Sequence, residues 1–93
     1  MANTTTTFAD ATEVRARVRT LWVVATGGDE GSVHGPFSVG GGTSLSGLRM
    51  LSAVRAEFGV RLAWQALQGA KNADDFAALV ADQWTGGTRE TAR

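Results

Sequence analysis

The chain has 93 residues, with nine basic and nine acidic side chains, one histidine and no cysteine. That length makes one small domain with a thin core. The cancelled charge gives no support for nucleic-acid or membrane-surface binding, and the missing cysteines exclude disulfides, thiol catalysis and the common zinc sites.

Residues 1–8 are threonine-rich and are expected to be disordered. Asp10 followed by Glu13 has the form of a capping box and opens the first predicted helix. Val14, Val18, Leu21, Trp22 and Ala25 continue it as one apolar stripe, with Arg15, Arg17 and Arg19 largely outside. From Thr26 to Thr43 the sequence reads as a long loop holding seven glycines and the only proline. A loop of that length in a compact domain is either functional or a mobile linker, and a helix that begins directly at its end favours function. Phe37 is expected to pin it onto the core.

Gly40-Gly41-Gly42-Thr43-Ser44-Leu45 ends the loop. Three consecutive glycines can take φ > 0 and let another molecule approach the backbone closely. The second predicted helix runs from about Ser44 to Glu57, with Gly59 as its terminator. Its inward arc is read as Leu48, Leu51, Val54 and Phe58, with Gly47 and Met50 at the edge. Leu45 then projects from the polar side, either toward a partner or against the preceding loop. Ser44 sits at the loop-to-helix junction, where a hydroxyl is exposed and the helix N-terminus favours a phosphate ester.

Ala63 to Gly69, with Trp64 and Leu67 one turn apart, predicts a brief third helix. Asn72 caps a fourth, carrying Asp74 and Asp75 in its first turn and Phe76, Leu79 and Val80 on its apolar stripe, and ending at Trp84. Residues 85–93 are a polar tail, expected to be disordered. Residues 9–84 form the single domain. The fold class is all-α: a small four-helix bundle of three longer helices and one short one, with a long loop between the first and second. Trp22 and Trp84 are read as packing residues, whereas Trp64 is divided between core and partner contact.

A glycine-flanked serine raises serine hydrolysis first. The run Gly42-Thr43-Ser44-Leu45-Ser46 lacks the last glycine of a nucleophile elbow, no strand precedes it, and His34 would have to serve as base. A phosphate-cradling loop needs Gly-Lys-Ser/Thr, and the single lysine is Lys71. The acidic pairs Asp29-Glu30 and Asp74-Asp75 lack the ligand number of a metal loop, so no metal is expected. What remains is a serine that is modified, or a serine that merely caps its helix.

Phe37-Ser38-Val39-Gly40-Gly41-Gly42-Thr43-Ser44-Leu45 resembles the Phe-x-x-Leu-Gly-Gly-x-Ser-Leu signature of the phosphopantetheine-binding carrier proteins, most closely the peptidyl carriers of nonribosomal peptide synthesis. Arg49, Glu57-Phe58-Gly59-Val60, Leu62, Ala66-Leu67 and Asn72 continue the likeness, which spans about Val14 to Val80. The resemblance implies that Ser44 carries a covalent 4′-phosphopantetheine, attached from coenzyme A by a phosphopantetheinyl transferase. The arm would hold an aminoacyl or acyl group as a thioester for an adenylation or other loading enzyme and for tailoring and condensation enzymes. The expectation is a non-catalytic, free-standing and monomeric carrier, cytoplasmic because no apolar run approaches the length of a bilayer span, with no nucleic-acid or membrane partner, whose enzymes meet Leu45, Arg49 and Trp64.

The sequence departs from the pattern in places. Gly40 replaces leucine or is inserted beside Val39, Gln68 stands where phenylalanine is common, and Trp64 replaces a smaller aliphatic residue. Thr43 occupies the position of the aspartate typical of fatty-acid and polyketide carriers, and Arg49 and Arg55 outnumber Glu57 on the second helix. These last features favour the peptidyl type over an acyl carrier for polyketide or fatty-acid chains. An interaction module of the same fold without the arm is the remaining alternative.

Overall fold

The computed structural model describes residues 10–84, and the expected disorder of residues 1–8 and 85–93 lies outside them. Four α-helices and one 3₁₀ helix make up the described fold, with no strand among those residues. In chain order they are α1 (Ala11–Ala25), the 3₁₀ helix (Glu30–His34), α2 (Ser44–Phe58), α3 (Trp64–Gly69) and α4 (Ala73–Gln83).

Local chemistry sets most of the boundaries. Asp10 accepts from the Glu13 N–H at 3.1 Å and starts α1. The helix ends in a Schellman motif, in which Gly27 N donates to Val24 O and Gly28 N to Val23 O, with Gly27 at φ 96°. Gly59, at φ 71°, closes α2 in the left-handed region. The Asn72 side chain accepts from Asp75 N at 2.8 Å and starts α4.

α1 is the hub and packs on α4, on α2 and on the 3₁₀ helix, while α3 rests on α2. Val14, Val18 and Trp22 of α1 are completely buried, as are Phe76, Ala77 and Val80 of α4. Trp22 meets Phe37 edge-on, with ring centroids 5.1 Å apart, and Phe76 at a tilt, 6.1 Å apart. Phe37 thus pins the loop to the core as expected. The interhelix segment is more ordered than a bare loop: Ser32 and Val33 of the 3₁₀ helix are also buried. Val39, by contrast, is 77% exposed and anchors nothing.

Two helix faces differ from the periodicity reading. The inward face of α2 is Gly47, Met50, Val54 and Phe58, while Leu48 is 58% exposed and Leu51 half-buried. The cause is Gly47. Without a side chain it lets the Trp64 ring and Leu67 close onto the helix, and a Cβ there would lie 2.5 Å from the Trp64 ring and 3.2 Å from Leu67. The helix therefore turns its bare side inward. In α4 the stripe is Ala73, Phe76, Ala77 and Val80, and Leu79 is 38% exposed, because two alanines allow the close approach to α1.

Among the described residues, no helix is long and apolar enough to cross a membrane.

Candidate functional site around Ser44

The start of α2 is built by its neighbours, not by Ser44. Thr43 is the N-cap, at φ −112° and ψ 172°, and its hydroxyl oxygen accepts from Ser46 N at 3.1 Å. Ser46 Oγ in turn accepts from Thr43 N at 2.8 Å, which completes a capping box with serine in place of the usual Glu or Gln. Ser44 is the first helical residue. Its side chain is exposed and makes no hydrogen bond among the described residues. The reading of Ser44 as a plain N-cap is thereby corrected: Thr43 already holds that position, so the Ser44 hydroxyl is left available for other chemistry.

The electrostatics around Ser44 favour an anion. Ser44 and Leu45 lie at the open end of the helix, where backbone N–H groups lack intrahelical acceptors. No acidic residue occupies the first turn of α2. A phosphodiester on the Ser44 oxygen would meet these N–H groups and the positive end of the helix dipole with no carboxylate in that turn to oppose it. The residues present fit such a group.

Beside Ser44 lies a cavity of about 400 Å³ between the loop and α3. Phe37, Trp64 and Leu67 supply apolar walls, Ser38 and Gln68 polar ones, and Ser44 stands in its lining. Two glycines admit the aromatic walls: Gly42 lies flat against the Phe37 ring and Gly47 against Trp64. Trp64 is half-buried against the core, as its packing reading expected, and forms part of the wall beside Ser44.

Leu45 and Arg49 are not in this lining. They lie four residues apart on the outer side of α2, with Leu45 59% exposed and Arg49 exposed without an ion pair among the described residues. The structure adds Leu48 between them. Its spacing of three from Leu45 and one from Arg49 was a visible signal, hidden by its assignment to the core. The single acid of α2, Glu57, is engaged in two bonds with Arg17 of α1, so the cations Arg49 and Arg55 define the outer charge of this helix. His34 belongs to a separate depression against α1, lined by Val23, Val24 and Glu30, and is not part of the Ser44 cavity. The histidine base that a hydrolase would need is therefore elsewhere.

Comparison with known proteins returns one family, described as "Phosphopantetheine attachment site", over residues 16–80. No curated protein and no solved structure matches. The matched span covers more than half of the chain and contains the glycine run, the capped start of α2 and the α3 wall. The protein therefore belongs to the phosphopantetheine attachment family, the carrier domains that hold acyl groups on a covalently bound 4′-phosphopantetheine.

Proposed function

We propose that Ser44 is the residue that bears the 4′-phosphopantetheine, and that the protein carries an aminoacyl or related acyl unit in a biosynthesis of the nonribosomal-peptide type. The observation that carries this is the state of the Ser44 hydroxyl: exposed, free of hydrogen bonds among the described residues, and placed at N1 by a cap that Thr43 and Ser46 complete without it. The attached group supplies a thiol for thioester formation. The chain supplies everything else: an oxygen for the transferase to modify, helix N–H groups to receive the phosphate charge, and a surface for enzymes that must bind and release in turn.

That surface comprises Leu45, Leu48 and Arg49 on the outer side of α2 and Trp64 of α3 on the cavity side of Ser44. A few exposed apolar side chains edged by a cation suit small, short-lived contacts. The peptidyl reading over a fatty-acid or polyketide carrier is supported by the charge of α2. Its one carboxylate is bound to Arg17, and Thr43 stands before the serine and serves as the cap. The partners on this reading are a phosphopantetheinyl transferase, an adenylation or other loading enzyme, and tailoring and condensation enzymes.

The test is incubation with coenzyme A and a broad-specificity transferase, read by intact mass. The wild type should gain one phosphopantetheine and Ser44→Ala none while keeping its melting temperature. Modification that persists in Ser44→Ala, at Ser46 or Ser52 for instance, would remove Ser44 from this role.

A further inference from the structure

The glycine run that leads to Ser44 rests on a buried pair of hydroxyls. Thr26 at the end of α1 and Ser32 in the 3₁₀ helix are the two buried polar residues among those described, 6% and 5% exposed. Their oxygens are 2.6 Å apart. Thr26 Oγ1 lies 2.8 Å from Trp22 O and 3.1 Å from Val23 O, so its single proton goes to the end of α1. Ser32 must then donate to Thr26. The Ser32 backbone is fixed as well: its carbonyl accepts from Trp22 Nε1 at 3.0 Å and its N–H donates to Asp29 O at 3.0 Å.

Two successive glycines sit on these two residues in register. A Cβ on Gly40 would lie 2.7 Å from Ser32 Cβ and 3.1 Å from Ser32 Cα. A Cβ on Gly41 would lie 3.0 Å from Thr26 O, and Gly41 already has φ +107°. Neither contact can be relieved by rotating a side chain, because the atoms met are a Cβ and the backbone. Gly42 N then bonds Phe37 O at 2.9 Å, and Thr43 caps α2 at the next residue. Thr26 and Ser32 thus meet the chain three and four residues before Ser44.

We propose that the Thr26–Ser32 pair is a positioning element: it fixes the height of Gly40-Gly41 and, through them, the placement of Ser44 before the enzyme that modifies it. This rests on the reading of Ser44 as the modified residue. It also gives Gly40 a physical role. The position is glycine because Ser32, held by hydrogen bonds to Trp22, Asp29 and Thr26, leaves no room for a side chain.

The experiment measures the rate of phosphopantetheine transfer from coenzyme A against carrier concentration, beside a thermal melt, for the wild type, Gly40→Ala, Ser32→Gly and the double variant. Gly40→Ala should lose about tenfold or more in kcat/KM at temperatures where it is folded, since small misplacements of a reacting group cost that much. Ser32→Gly removes the hydroxyl pair together with the Cβ that the new methyl meets, so it should itself load more slowly than wild type, and adding Gly40→Ala to it should cost much less than Gly40→Ala costs alone. A Gly40→Ala or Ser32→Gly protein loaded as fast as wild type, or a Gly40→Ala loss as large in the Ser32→Gly background as alone, would overturn the proposal. Should Gly40→Ala not fold, Thr26→Val and Thr26→Ser decide the matter. The serine keeps the hydroxyl and should load as wild type. The valine leaves Ser32 without an acceptor and should load more slowly below its melt, and equal rates for the two would refute the idea. Peptide mass mapping of the loaded wild type separates the outcomes, because a group found away from Ser44 defeats the underlying reading instead.

Discussion

The α1–α4 half and the Ser44 half of the molecule are both helical, yet they are held together differently. Between α1 and α4, large side chains do the packing: Trp22, Phe76, Val14, Val18 and Val80 are fully buried and the rings of Trp22, Phe37 and Phe76 touch. Around Ser44 the close contacts are made by residues with no side chain. Gly40 lies on Ser32, Gly41 on Thr26, Gly42 on Phe37 and Gly47 on Trp64, while Leu45 and Leu48 face solvent. The first half derives its stability from buried area. The second gives up buried area to present a serine and a contact face. Mutations should therefore separate stability from function along this division.

The largest stability effect belongs to the first half. Phe76→Ala deletes a ring that is 0% exposed and should cost about 3–5 kcal/mol, a large part of the total stability of a domain this size. Leu79→Ala, three residues along the same helix, should cost only about 1 kcal/mol because that side chain is 38% exposed. Denaturant melts of the two variants compare them directly. Equal losses would mean that α4 presents a different face to α1.

Next comes Gly47→Ala, which tests whether close approach governs the second half. Alanine favours the helix by about 1 kcal/mol over glycine. Its methyl, however, would enter the space of the Trp64 ring and Leu67, and overpacking of this kind costs about 1–3 kcal/mol. The expected result is a net loss of stability together with a change in Trp64 emission. A stabilised variant with unchanged emission would show that the indole is not seated on the helix backbone.

How far these contrasts could be read in the sequence depended on the type of contact. Helix ends were legible because Asp10, Asn72 and Gly59 act within their own turn. Trp22 and Phe37 were legible as packing residues because large apolar side chains seldom do anything else. The faces of α2 and α4 were misread where leucine was preferred to a small residue. Gly47 and Ala77 face inward because a neighbour needs the room, and a neighbour is invisible to a hydrophobicity count. The place of Ser44 at the start of α2 was legible, but the capping role of Thr43 and Ser46, hydroxyl residues on either side of it, was not separated from it. The Thr26–Ser32 pair was hidden in a stretch that looked like plain loop, since two isolated hydroxyls carry no pattern until the chain folds.

On the Ser44 side, function should fall where stability does not. Leu45→Ala and Leu48→Ala remove exposed methyl groups and should change stability within about 0.5 kcal/mol. Both should nonetheless slow cargo loading by a partner enzyme, as should Trp64→Ala. Arg49→Glu should slow it too, most strongly at low salt, where exposed charges are least screened. The checks are loading rates on the modified protein at two ionic strengths, with a melt beside each. Unchanged rates for all four would move the contact face to the loop before Ser44.

The smallest effect concerns the pair that ties the two halves together. Arg17 of α1 donates through Nε to Glu57 Oε1 at 2.7 Å and through Nη2 to Oε2 at 2.8 Å. The hydrogen bond that Arg17 donates to Glu57 holds its guanidinium above its ordinary pKa, and partial burial only opposes this. A raised pKa on a cation means that its contribution is complete below the unfolded value and is lost only as pH climbs through the folded one. For Arg17 that window lies beyond any pH at which the protein would be handled, so the arginine adds no pH dependence between pH 5 and pH 10 by this route. The Arg17 side chain is 43% exposed and that of Glu57 21%, so solvent screens much of the attraction. A double-mutant cycle with Arg17→Gln and Glu57→Gln should give a coupling of about 0.2–1 kcal/mol that shrinks as salt is added. A coupling well above this, or one indifferent to salt, would mean that the two halves are joined by a desolvated charge pair. The division between an apolar half and a glycine-built half would then need an electrostatic third member.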